Sequence, residues 1–228
     1  MNDIFPDKAF EYLEKNQLIS KGYYYIVNRK NYRDAVHVAK WLKENCEKSN
    51  SKLEEIVSEI FTTHPTYGYD KIIYKIYRWV QKNIKYKRDQ DIWDTIEYWQ
   101  TPEETIEKRT GDCEDGAILT YALARTVGIP ANRMLLLCGD VVGGGHCWLG
   151  YKPSTDPYNL VFYDWCYWAN LSTTDERKRY WIVDKEIQPE GSNYKNMWFA
   201  FNENNSFIKF KETYTKWKNS FIKLQRKL

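Results

Sequence analysis

The sequence predicts an α+β fold, in which helices and an antiparallel sheet occupy separate parts of the chain. Amphipathic helical patterns fill the first half of the 228 residues, and an apolar helix followed by strand-like runs fills the second half. Helices that come first and strands that follow are typical of this class, because alternating elements would indicate a parallel sheet instead. The length suits one large domain, or one domain with an appendage.

Helices are predicted where apolar residues recur every three or four positions. The segments that show this spacing are 7–17, 31–46, 52–61 and 69–84, and Ser51 is a suitable N-cap for the third of them. The run at 23–27 is too short to distinguish a strand from a helix.

The segment 113–127 is apolar on nearly every side, which predicts a helix that is buried in the core. Asp112 is a suitable N-cap, and Asp115 stands three residues later, where a capping box places an acceptor. Gly128 and Pro130 provide the stop signal. Strand-like runs follow at 134–142, 146–151, 160–165, 180–183 and 197–201.

The composition of the chain limits the kinds of partner and the cellular location that we expect. The net charge is only +3, which gives no reason to expect a specific nucleic-acid partner. No apolar run approaches the roughly 20 residues of a membrane span, and the N-terminus lacks the basic and apolar blocks of a signal peptide. Five cysteines, an odd number, fit reduced thiols better than a disulfide framework. We therefore expect a cytoplasmic protein without a membrane partner.

Cys113 is the first candidate for chemistry, because a helix start stabilises a thiolate through free N–H groups and the helix dipole. The same N–H groups can stabilise an oxyanion. The carboxylates of Asp112, Glu114 and Asp115 act in the opposite direction and raise the thiol pKa, so activation would have to come from an imidazolium. The alternative is that Cys113 is a small buried hydrophobic residue.

His146 is the candidate base among three histidines. It follows three glycines, which let the backbone approach closely, whereas His37 lies in a polar helical pattern and His64 precedes a proline. The alternative is a histidine with a structural role only.

Asp164 completes the set, since it interrupts an apolar run in which a carboxylate requires a partner. A histidine on a neighbouring antiparallel strand would serve as that partner. Pairing His146 directly opposite Asp164 puts both on one face of the sheet and leaves 152–158 as the connection.

A zinc site is the competing interpretation of these side chains. Its ligand set would be Cys138, His146, Cys147 and Cys166. No C-x-x-C pair is present, however, and consecutive strand residues point to opposite faces. We therefore expect neither a metal nor another cofactor.

Three blocks of the sequence resemble the transglutaminase-like superfamily, and most of all its bacterial, archaeal and phage cysteine peptidases. The blocks are 98–105 (YWQTPEET), 109–117 (RTGDCEDGA) and 125–131 (RTVGIPA), and the runs GHCW at 145–148 and FYD at 162–164 add to them. The resemblance covers about 72–168. Position 116 is Gly where the family often has an aromatic residue, and position 147 is Cys where a smaller residue is commoner.

The resemblance implies a papain-like fold, in which the nucleophile helix packs on an antiparallel sheet. It implies Cys113 as nucleophile, His146 as base and Asp164 as the group that orients the base. Residues expected to line the site are Trp99, Gln100 and Trp148, the first two as candidates for an oxyanion hole.

The expected activity is a peptidase or amidase that forms a thioester and releases it to water. One alternative is a transglutaminase that releases the thioester to an amine. The other is a binding or assembly module that kept the fold without activity. In each case the expected substrate or partner is a protein or peptide.

The predicted organisation has three parts, which are a helical extension at 1–68 packed on the core, a catalytic core at 69–185 and a C-terminal extension at 186–228. The extension is expected to end in a basic amphipathic helix at 207–228. Its apolar seam, at spacings of three and four, consists of Phe207, Phe210, Tyr214, Trp217, Phe221, Leu224 and Leu228. Such a helix packs on its own domain, or it docks a partner or a second copy of the chain.

Overall fold

The computed structural model describes residues 33, 35–154, 159–167, 179–181, 194–204 and 206–208. Its helices are α1 (Ala35–Asn45), α2 (Ser51–Ile60), α3 (Tyr69–Asn83), α4 (Asp89–Trp93), α5 (Pro102–Lys108) and α6 (Cys113–Thr126). In this part of the chain no helix has the length and apolarity that crossing a membrane requires. The predicted segments 7–17 and 23–27 lie outside the described residues.

The strands confirm the α+β class. They are β1 (Lys85–Tyr86), β2 (Thr110–Gly111), β3 (Met134–Val141), β4 (Gly144–Tyr151), β5 (Asn159–Tyr163), β6 (Arg179–Trp181), β7 (Tyr194–Phe201) and β8 (Ser206–Ile208). The last six form one antiparallel sheet in the order β6-β5-β4-β3-β7-β8, while β1 and β2 form a separate parallel pair. The short elements α4, α5, β1, β2 and β8 were not predicted, although Thr101 and Glu104 form the capping box that begins α5.

The central helix α6 is buried from Glu114 to Ala124. It packs against β3 and β4 on one side and against α2, α3 and α5 on the others. A helix with neighbours on every side needs apolar side chains all round, which is the pattern its sequence shows. The positive φ of Gly128, 88°, lets the chain leave the helix directly after its last turn.

One N-cap differs from the prediction. Asn50, and not Ser51, caps α2, because its side-chain oxygen accepts the backbone N–H of Leu53 at 3.3 Å. Ser51 is the first helical residue.

The register between β4 and β5 also differs from the prediction. Leu149 pairs with Tyr163 and Tyr151 with Val161, so the position opposite Asp164 is two residues beyond His146. A shift by two preserves the face on which a side chain lies. The two residues therefore still share a face, and 152–158 connects the strands as predicted.

The C-terminal region departs from the predicted organisation. Strand β7 pairs with β3 inside the sheet, so the core extends past the boundary expected at residue 185. Phe207 lies in β8, where it pairs with Ala200. The amphipathic helix therefore does not begin at Phe207, and the rest of its predicted seam lies outside the described residues.

Gly116 explains how α6 packs against the turn that follows β5. A Cβ built at position 116 would overlap the indole ring of Trp165. That indole donates a hydrogen bond to the backbone carbonyl of Cys113 at 3.0 Å. Trp165 thus provides the aromatic ring next to the start of α6, and residue 116 must be small because that ring occupies the space beside it.

We expect Gly116→Ala to destabilise the protein by about 1–2 kcal/mol in urea unfolding. Overpacking costs about 1–3 kcal/mol, and the better helix propensity of Ala offsets about 1 kcal/mol of it. In the Trp165→Leu background the same change should cost much less, because the clash is gone. Equal effects in the two backgrounds would contradict this account of the contact.

Candidate active site

Cys113 is the first residue of α6 and is held in place by the chain around it. The backbone N–H of the N-cap residue Asp112 donates to the Asp115 side chain at 3.1 Å, as the predicted capping pattern requires. Asp115 also accepts the backbone N–H of Gln100 at 2.8 Å. These bonds, together with the one from Trp165 to the Cys113 carbonyl, fix the position of the helix start.

A cleft of about 240 Å³ opens beside Cys113. Cys113 and His146 both line it, so the structure brings two of the three predicted catalytic residues to one cavity. The other lining residues are Tyr86, Glu97, Trp99, Asp112, Glu114, Cys138, Gly143, Gly144, Gly145, Cys147 and Phe199.

His146 is paired with Asp164, the third predicted residue. The distance from His146 Nε2 to Asp164 Oδ2 is 2.6 Å, and both side chains are buried. The imidazole also contacts the rings of Trp148 and Tyr167, with centroid distances of 5.8 and 5.3 Å. These contacts restrict the ring to one orientation.

The Asp164 carboxylate collects further donors. The hydroxyl of Tyr194 donates to Oδ2 at 2.8 Å, and the backbone N–H of Tyr167 donates to Oδ1 at 3.2 Å. The hydroxyl of Tyr77 donates to the Asp164 backbone carbonyl at 3.1 Å. These donors offset the cost of burying the Asp164 side chain and hold it in place.

The Cys113 thiol has the opposite environment. Burial raises its pKa well above the ordinary value, and the carboxylates of Glu114 and Asp112 raise it further. The sulfur lies 3.1 Å from Glu114 Oε2, at hydrogen-bonding distance. The resting thiol is therefore protonated, and a base is needed to remove its proton.

The three residues expected to line the site have different positions. Trp99 lines the cleft, and its indole N–H donates to the Glu97 carboxylate. The expectation for Gln100 is wrong, because its amide donates to the Thr110 carbonyl at 3.1 Å and to the Asp115 carboxylate, away from the cleft.

Trp148 does not line the cleft either. It is buried on the face of the sheet opposite α6, against the rings of Phe162 and Tyr194. Its connection to the site is the contact with the imidazole of His146.

Sequence reasoning missed Tyr194 and Trp165. Tyr194 stands at the start of β7, three residues before the run that signalled a strand, and no local pattern marks its hydroxyl as a partner of Asp164. Trp165 had a usable signal, since the glycine at position 116 leaves room for one large ring from elsewhere in the fold.

A cluster of acidic residues around the start of α6 was not predicted either. Oxygen atoms of Asp89, Glu97 and Glu114 lie within 4.8 Å of one another, and so do oxygens of Asp89, Asp112 and Asp115. Burial, with Asp112 and Asp115 nearby, raises the pKa of Asp89 to about 10. Buried oxygens of Asp89, Asp112 and Glu114 have no hydrogen-bond partner in the described structure.

The three cysteines of the zinc ligand set considered above lie in two separate parts of the structure. Cys138 and Cys147 contact each other, with their sulfur atoms 3.1 Å apart. Cys166 instead lies beside Asp164, 3.7 Å from its Oδ1.

A family model described as the transglutaminase-like superfamily (Transglut_core) matches residues 54–164. No curated protein matches the chain significantly.

Three solved structures of LapG from Legionella pneumophila have similar folds. One has a TM-score of 0.52 at 14% identity and covers 80% of this chain and 93% of LapG. The EGTA-treated form has a TM-score of 0.53 at 14% identity and covers 77% of this chain and 87% of its own. The calcium-bound form has a TM-score of 0.51 at 16% identity and covers 76% of this chain and 87% of its own. At such identity the likeness concerns the fold. The family match, the antiparallel sheet and the buried helix agree with one another, and residues 54–164 form a domain of the transglutaminase-like superfamily.

Proposed function

We propose that this protein is a cysteine peptidase or amidase that cleaves an amide bond through a thioester. The observation that carries the proposal is that His146, which is hydrogen-bonded to the buried Asp164, lines the same cleft as Cys113 at the start of a helix. Cysteine, histidine and aspartate in these positions can serve as nucleophile, base and orienting group.

The acid–base chemistry follows from the pairing. Asp164 accepts the proton on Nε2 of His146, which leaves Nδ1 as the basic nitrogen. Because the Cys113 pKa is raised, the thiol loses its proton to Nδ1 only as its sulfur attacks the substrate carbonyl. The imidazolium that forms is stabilised by the Asp164 carboxylate, and it then protonates the departing amine.

The oxyanion of the tetrahedral intermediate needs donors beside Cys113. Backbone N–H groups in the first turn of α6 have no intrahelical acceptor and point toward the end of the helix at which Cys113 lies. They replace Gln100 as the candidate donors. Water attack on the thioester, with His146 again as base, completes hydrolysis.

The first test is the reactivity of Cys113 toward iodoacetamide at neutral pH, read by peptide mass spectrometry. We expect Cys113 to be alkylated faster than Cys46, a second half-buried thiol whose neighbours are the carboxylate of Glu203 and the guanidinium of Arg125. His146→Gln should slow Cys113 alkylation about 10²-fold, because the glutamine amide can still donate to Asp164 but cannot accept the thiol proton. Equal labelling of the two thiols, or no response to His146→Gln, would contradict the proposed activation.

Turnover itself can be tested with a peptide library in the presence and absence of a primary amine. Hydrolysis without the amine, abolished by Cys113→Ala, is the expected result. Amine incorporation at glutamine side chains would identify the protein as a transglutaminase instead. Absence of both reactions, with Cys113 unreactive, would identify a non-catalytic module.

A second test concerns Asp164 and Tyr194. Asp164→Ala removes the acceptor of the hydrogen bonds from His146, Tyr194 and Tyr167, so we expect a loss of several kcal/mol in urea unfolding, at about 1–3 kcal/mol per bond. Tyr194→Phe removes one neutral hydrogen bond and should cost about 1 kcal/mol.

Kinetic measurements distinguish a role of these residues in positioning His146 from a role in folding. Asp164→Asn should keep the fold and reduce turnover by about 10²–10⁴-fold, because it removes the charge that stabilises the imidazolium. Tyr194→Phe should reduce turnover less and shift its pH profile. Full turnover in Asp164→Asn would exclude Asp164 from the mechanism.

The acids near α6 fit a divalent cation, and one of the LapG structures is calcium-bound. Calcium prefers carboxylate oxygens, and Asp89, Glu97, Asp112 and Glu114 offer them, including the buried oxygens without hydrogen-bond partners. A cation there would neutralise carboxylates that raise the pKa of Cys113. Asp115 is less available, because Gln100 and Asp112 already donate to its oxygens.

Calcium should therefore raise the melting temperature, and EGTA should reverse the change. At calcium concentrations about 100-fold above Kd we expect a rise of roughly 5–10 °C. Asp89→Asn should abolish most of that rise, whereas Asp91→Asn, which changes an exposed carboxylate on the same helix, should leave it intact. A melting temperature that ignores calcium would exclude the cation site and leave the peptidase proposal untouched.

A further inference from the structure

Two thiols that the proposed mechanism does not use face each other across the sheet beside the cleft. Cys138 on β3 pairs directly with Cys147 on β4. Their sulfur atoms are 3.1 Å apart, and both residues are buried and line the cleft. Neither helix capping nor the chemistry of His146 and Asp164 requires a sulfur at either position.

The backbone geometry suits a disulfide. Residues directly opposite in antiparallel strands have Cα atoms about 4.5–5.5 Å apart, and disulfides span Cα distances of about 4.4–6.8 Å. The S–S bond is about 2.05 Å long, so the sulfurs must approach by about 1 Å. The register of β3 against β7 shifts between Cys138 and Gly139, directly next to the position that would have to move.

We propose that Cys138 and Cys147 form an oxidation site, in which hydrogen peroxide converts the two thiols to a disulfide across the wall of the cleft. Peroxide is a suitable oxidant because it is small enough to reach a nearly closed pair through the cleft. The inference concerns a modification of the chain and does not depend on peptidase activity.

The reaction balances in two steps. The Cys138 thiolate attacks one peroxide oxygen, the O–O bond breaks, hydroxide leaves and takes up the thiol proton as water, and Cys138 becomes a sulfenic acid. The Cys147 sulfur then attacks the Cys138 sulfur, the S–O bond breaks and a second water leaves with the Cys147 proton. Two thiols lose two electrons in total, and one peroxide is reduced to two waters.

The environment indicates which thiol reacts first and how fast. Burial raises the pKa of both thiols; the hydrogen bond between them offsets part of the rise at Cys138 and adds to it at Cys147. Cys138 is therefore the thiol that ionises more easily. Because little thiolate is present at neutral pH, oxidation should take hours and not seconds.

The disulfide would also change the surroundings of the predicted base. Cys147 is the residue after His146, and the new bond ties its strand to β3. It closes a short loop that contains the hairpin tip at 142–143, which constrains the unfolded chain.

The test is peroxide treatment of the folded wild-type protein and of its Cys113→Ser variant, followed by thiol blocking and peptide mapping without reduction. We expect the linked Cys138–Cys147 peptide pair in both proteins, with a loss of two hydrogen atoms. The melting temperature of the oxidised Cys113→Ser variant should rise by roughly 5 °C, and dithiothreitol should reverse the change.

Control variants make the result specific. Cys138→Ala and Cys147→Ala should each abolish the linked pair, while Cys46→Ala should leave it unchanged, and circular dichroism should confirm that each variant is folded. A disulfide that joins Cys113 to Cys138 or Cys147 in the wild type would overturn the proposal. So would sulfinic or sulfonic acids at the pair without any cross-link in the Cys113→Ser variant.

Discussion

The burial of α6 on all sides is the constraint on which the rest of this structure depends. A helix enclosed by β3, β4 and three other helices cannot rotate or slide, so its first residue has one position. Cys113 is that residue, and Asp115 and Trp165 bind the backbone on either side of it. The core packing that stabilises the protein therefore also determines the position of the Cys113 side chain.

The buried carboxylates around this helix differ in how far hydrogen bonds offset the cost of their burial. Asp164 is compensated by an imidazole, a hydroxyl and a backbone N–H, whereas Asp89 and Glu114 keep buried oxygens without partners. Uncompensated buried carboxylates cost stability unless they are protonated or bind a cation. Glu114, together with Asp112, also raises the pKa of Cys113, so the proposed activation by His146 has to overcome the effect of both carboxylates.

Local patterns predicted the long elements of the described residues well, because burial and periodicity are visible in the sequence. The all-round apolar segment predicted α6, and the isolated Asp164 predicted a buried partner. The pairing of Asp164 with Tyr194, the use of Gln100 as a brace for Asp115 and the strand at Phe207 were not predictable. Each depends on which segments meet after folding. A local pattern such as the heptad-like spacing that begins at Phe207 does not show which segments will meet.

The asymmetry between Cys113 and Asp164 has an evolutionary consequence. The Cys113 side chain is half-buried and its sulfur is hydrogen-bonded to the adjacent residue Glu114, whereas Asp164 joins two strands and a turn through its hydrogen bonds. If the proposed activity is correct, mutational drift after a loss of selection for catalysis should replace the cysteine early and keep the aspartate for folding. A descendant with the aspartate but without the cysteine would preserve the architecture of an enzyme while serving only as a scaffold.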